Sequence, residues 1–160
     1  MSAQSGPTIG KGASHVSEVR FSHGLAPDNK TVSIIFDNFV VALGPGAPVV
    51  ARTVSMTFPL EGNAGGAAKI DLRGSAALDH GATGTVIFRV FGETHVLEPL
   101  LGSTDPNPGD FTKTLALEVP AGSNLDMSFI VVAERGGNAR GNTSVTLDSV
   151  DISLGQPETT

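Results

Sequence analysis

The feature that most constrains this chain is apolar alternation at period two, repeated along its length. Val54, Met56, Phe58 and Leu60 alternate with Thr53, Ser55 and Thr57. Val86, Phe88 and Val90 alternate with Thr85, Ile87 and Arg89, and Leu125, Met127, Phe129 and Val131 share one parity. Successive side chains of a strand point to opposite faces, so each run reads as a strand with one buried face. Twenty Gly and ten Pro cut the 160 residues at intervals too short for long helices.

Two runs carry a parity slip. Val32, Ile34 and Phe36 are followed by Phe39, Val41 and Leu43, and Val145 and Leu147 by Val150, Ile152 and Leu154. One residue must be absorbed in each, which predicts a bulge or bend at Asp37-Asn38 and another at Asp148-Ser149. Shorter candidates at 16–21, 67–73, 94–97 and 111–119 bring the expected total to eight or nine strands. Turn signals separate them at LAPDNK, GPGAP, EGNAGG, DHGATG, DPNPGD, PAGSN and RGGNARG. The expected fold is all-β, an antiparallel two-sheet sandwich of jelly-roll or Greek-key type. Residues 15–154 form its single domain. Residues 1–14 read as a flexible arm and 155–160 as a flexible tail, because they carry little to bury.

Composition excludes several functions. Cys is absent, which removes disulfides, thiolate nucleophiles and cysteine metal sites. The formal net charge is -6 and the ten Lys and Arg are scattered, so no basic face for nucleic acid is expected. Eight Phe with no Tyr or Trp leave few stacking platforms for sugars or single strands. No apolar run reaches the roughly 20 residues of a membrane-spanning helix. The first 20 residues lack the apolar stretch of a secretion signal, so the compartment stays open: extracellular only for a mature form or an export route of another kind.

In pattern and order, LAPDNKTVSIIFDNFVV (25–41), RTVSMTFPL (52–60) and IDLRGSAALDHGATG (70–84) resemble a family of small secreted bacterial and fungal proteins, the domain of unknown function numbered 4360. The resemblance spans roughly residues 25–100. It implies a β-sandwich and supplies no activity or site residues. The chain departs from the family in having no paired cysteines.

Candidate chemistry is sparse. The four His residues, His15, His23, His80 and His95, form no HExxH or HxH pair. They read as surface or turn residues unless two of them converge. No GxSxG elbow is present. The ERGGNARGN loop at 134–142 could offer backbone N–H groups, Arg135 and Arg140 to an anion but lacks a P-loop ending, and reads as a hairpin loop. Asp105, Asn107 and Asp110 place three oxygen side chains in one short loop, a calcium candidate short of the six to eight oxygens that ion takes. Asp37, Asp148 and Asp151 read as bulge-associated residues. Two sequons occur, at Asn29 and Asn142.

Two functional readings follow. The first is a non-catalytic structural protein whose edge strands, exposed apolar residues or N-terminal arm pair with copies of itself or with a protein partner. The second is a small carbohydrate-binding or lectin-like module, calcium-assisted or cofactor-free. An enzyme would need a cleft bringing together two of His23, His80 and His95.

Overall fold

The alternating runs become strands whose buried parity faces a shared interior. The computed structural model describes residues 7–10, 14–16, 19–43, 49–78, 82–96, 100–102, 109–135 and 143–155. The first half contributes β1 (Thr8–Ile9), β2 (Ser14–Val16), β3 (Arg20–Leu25), β4 (Thr31–Asp37), β5 (Val40–Leu43), β6 (Val49–Phe58) and β7 (Leu60–Glu61). The second half contributes β8 (Gly66–Ala77), β9 (Ala82–Val90), β10 (Glu93–Val96), β11 (Leu100–Gly102), β12 (Gly109–Val119), β13 (Leu125–Arg135) and β14 (Thr143–Gly155).

Sheet I has the order β10-β9-β13-β6-β2, with β11 also on β9; sheet II has the order β12-β8-β14-β4-β3, with β5 also on β14. Every pairing is antiparallel. The fold is thus the all-β sandwich read from the sequence. The described segments outnumber the eight or nine expected because short pieces such as β1, β7 and β11 hold too few residues to show a period. Among the described residues no helix is long and apolar enough to cross a membrane.

The inward sets of both sheets form one core. Phe129 stacks on Phe88 at 4.7 Å, and Phe36 sets its edge toward Phe129 at 5.7 Å and Phe39 at 5.1 Å. Such pairs add about 0.5–1.5 kcal/mol each beyond the area they bury. Both parity slips are present. Asn38 takes φ +67° between β4 and β5, and the β8–β14 register shifts between Leu147 and Ser149, leaving Asp148 as the extra residue. Arg52 Nη1 donates to the carbonyls of Asn38 (3.4 Å) and Val40 (3.2 Å), tying the bend to β6.

One expectation is corrected. Thr8–Ile9, placed by the sequence in a loose arm, pair with Leu60–Glu61, and Ile9 is only 2% exposed. A single apolar residue among small polar ones shows no period, yet its burial and the Ile9 N to Asn29 O bond (2.8 Å) seat the segment.

The edge strands bear on self-association. β12 ends sheet II and runs eleven residues, a length that invites strand addition. Its inward parity, Phe111, Leu115 and Leu117, is interrupted by Lys113, opposite the fully buried Leu72. An inward-pointing charge on an edge strand penalises edge-to-edge pairing, because a second strand would strip its water. At the other edge, β3 carries His23 at the inward position opposite buried Ile34.

Candidate functional site

The outer face of sheet II is built from the polar parity of β12, β8 and β14. In register, Glu118 lies beside Ala67 and Gly155, Ala116 beside Lys69 and Ser153, and Thr114 beside Asp71 and Asp151. Small residues next to long ones leave a hollow. An open depression of about 750 Å³ is floored by Ala67, Ala116 and Gly155 and edged by Lys69, Glu118, Thr114 and Ser153.

Its chemistry is that of hydrogen bonding. Lys69 and Glu118 sit diagonally across the floor, and among the described residues no ion pair joins them. Ser153 and Thr114 supply hydroxyls: Thr31 Oγ1 donates to Ser153 Oγ at 3.5 Å, and Thr114 Oγ1 donates to Asp71 Oδ1 at 2.6 Å. Asp71 and Asp151 stand opposite each other just beyond the rim, with Arg73 two residues further along β8. None of the eight Phe is exposed; all belong to the core or its margin. A ligand here would meet hydroxyl, ammonium and carboxylate groups over a flat Ala/Gly floor, without an aromatic platform.

The residues singled out in the sequence fall elsewhere. Asp110 is exposed at the start of β12 opposite Ser75, while Asp105 and Asn107 lie outside the described residues. Among the described residues no group of three or more His, Asp or Glu could hold a metal ion. His80, Arg140 and Asn142 also lie outside the described residues, and Asn29 is exposed in the β3–β4 turn with φ +57°. His23 packs edge-on against Phe58 at 5.2 Å, while His95 lies 6.4 Å from Phe88 and 3.4 Å from the Glu93 carboxylate. Phe58 and Phe88 belong to β6 and β9, with β13 between them, so the two imidazoles are not brought together. Asp148 is the bulge residue expected, but Asp151 is not bulge-associated: it belongs to a carboxylate pair with Asp71, which lies 80 positions away in sequence. The hollow itself went unseen, because its residues come from three strands whose register the sequence does not reveal.

No family model and no curated protein sequence matches the chain. Among solved structures it is similar to an exo-β-1,3-galactanase from Phanerochaete chrysosporium crystallised with galactose (12% identity, TM-score 0.38), spanning 94% of this chain and only 29% of that one. It is similar to the C-terminal family 6 carbohydrate-binding module of a marine laminarinase from Zobellia galactanivorans (13% identity, TM-score 0.35, 89% of this chain and 99% of that one). It is also similar to dimeric latent PorU from Porphyromonas gingivalis (14% identity, TM-score 0.44, 97% of this chain and 14% of that one). These are likenesses of overall strand arrangement, and at such scores they carry nothing about ligands.

Proposed function

We propose that the chain is a non-catalytic module that binds a carbohydrate on the outer face of sheet II. The observation that carries this reading is the hollow over β12, β8 and β14, where Lys69, Glu118, Thr114 and Ser153 surround an Ala/Gly floor. Its volume of about 750 Å³ falls in the range of small-molecule sites, roughly 300–1,000 Å³. Its polar rim suits a ligand rich in hydroxyls, each of which needs a donor or acceptor when water is displaced. Without an aromatic platform, recognition rests on hydrogen bonds, and affinity is correspondingly modest.

Of the routes to self-assembly read from the sequence, edge-strand addition and the N-terminal arm are weakened. Edge-strand addition is opposed by Lys113 on the long β12 edge, and part of the N-terminal segment proposed as a donor is seated on its own chain at Ile9.

The test is a glycan array with wild-type protein and Ala116→Trp. Ala116 is exposed on the floor, so the indole fills the hollow without entering the core. Binding by wild type and its loss in Ala116→Trp are expected; a blank array for wild type, or equal binding by both, overturns the proposal. The same array run with and without calcium tests whether Asp105, Asn107 and Asp110 take part.

A further inference from the structure

The outer faces of the two sheets differ in a way that the ligand site does not explain. A sheet face open to water is expected to be polar, and that of sheet II carries two large aliphatic residues, exposed Ile35 and half-buried Val40. Sheet I instead presents Val49, Ile87, Val96, Ile130 and Val132 on its outer parity, with Val49 51% and Val96 63% exposed. The patch is ordered by register. Thr83, Glu134 and Val49 lie in one row across the strands, Thr85, Val132 and Ala51 in the next, Val96, Ile87, Ile130 and Thr53 in the third, Arg89 in the fourth and Asp126 in a fifth.

We propose that the chain forms a symmetric dimer by packing this face of sheet I against its counterpart in a second copy. Charge placement selects the occupant and the axis. A two-fold axis in the plane of the interface, crossing the strands between the second and third rows, lays the first row of one copy over the fourth row of the other. Arg89 of one copy then meets the partner's Glu134, one strand over, and the pair is repeated by symmetry. An axis along the strands would instead bring each row onto itself, Glu134 toward the partner's Glu134 and Arg89 toward the partner's Arg89. The first arrangement joins the apolar positions of the middle rows and sets each Arg89 beside the partner's Glu134, while Asp126, one row further out on β13, is held by the Thr57 hydroxyl. The strands β9, β13 and β6 over four rows, with β10 over two, offer roughly 450 Å² per copy, about 900 Å² in total, just under the threshold for a stable specific interface. The dimer is accordingly concentration-dependent. It leaves the hollow of each sheet II facing outward, and it stands or falls independently of what that hollow binds.

The experiment is sedimentation velocity across a range of protein concentrations, with circular dichroism to establish folding. Wild type moves from 16.3 kDa toward twice that mass as concentration rises. Arg89→Glu and Glu134→Arg, both at exposed positions, each hold the protein at the monomer mass, and combining them restores the dimer. Ile130→Glu abolishes dimerisation, whereas Ile35→Lys on sheet II leaves it unchanged. Should Ile130→Glu fail to fold, the exposed charge swaps carry the test. A monomer at every concentration, a dimer indifferent to Arg89→Glu, or a double swap that stays monomeric overturns the proposal. Glycan binding by the monomeric variants is read separately, so failure of the dimer and failure of the ligand site are distinguishable.

Discussion

Asp71 and Asp151 occupy directly opposed positions of the β8–β14 pair, two carboxylates on one sheet face, with Thr114 Oγ1 donating to Asp71 at 2.6 Å. Like charges directly opposite in an antiparallel pair are unfavourable by roughly 0.2–1 kcal/mol. A local cost of this kind beside the hollow is one that functional surfaces carry. Asp151→Asn is therefore expected to raise stability by about 0.5 kcal/mol, read as a higher urea midpoint at unchanged m-value. A lower midpoint would mean that the pair is held together by something other than the groups described.

Gly74 marks where β14 bulges toward β8. A Cβ there would run into the carbonyl oxygen of Thr146 and the ring of Phe111 at 2.6 Å, and the carbonyl belongs to backbone that cannot swing aside. Gly74→Ala should cost about 1–3 kcal/mol, as overpacking does. Gly24 is the internal control, since a Cβ at that strand position meets nothing within 4 Å. Gly24→Ala should be neutral or stabilising by up to about 1 kcal/mol. Thermal unfolding of the two variants checks both, and equal behaviour would contradict the bulge geometry.

Asn63 ties two loops together. Its Nδ2 donates to the carbonyls of Pro120 and Ser123, each at 2.9 Å, and its Oδ1 accepts from Gly65 N at 3.0 Å. Asn63→Ala takes the side-chain partner from Ser123 O and Gly65 N, while Pro120 O keeps the Ser123 N and Oγ donors, and should cost about 1–3 kcal/mol. Asn63→Asp keeps the acceptor but turns a carboxylate oxygen toward two carbonyls, so it should not rescue. Chemical denaturation of both variants decides, and a wild-type midpoint for Asn63→Asp would count against this role.

Much of the fold was legible because alternation is a direct image of the strand. Val54, Met56 and Phe58, and likewise Leu125 to Val131, are buried on the expected parity, and the slip at Asp148 appears as the register shift beside it. The β9–β10 hairpin was not legible. Its two-residue turn is Phe91-Gly92 with φ of +53° and +76°, and a bulky residue at a left-handed position is not a turn signal. The ring packs against the core, which offsets the backbone strain. β8 was expected to end near Arg73 but continues through Gly74 to Ala77, because the small residues there read as a breaker while the fold needs them for close approach. The candidate site was hidden for a different reason: Ala67, Ala116 and Ser153 become neighbours only through pairings among β8, β12 and β14.

The most direct test of the central claim is amide chemical-shift mapping, titrating labelled protein with the soluble oligosaccharide that the array selects. The account predicts shifts confined to residues 65–71, 114–118 and 151–155, the three strand segments around the hollow. Shifts centred on sheet I or on the loops, with those segments unmoved, would contradict it.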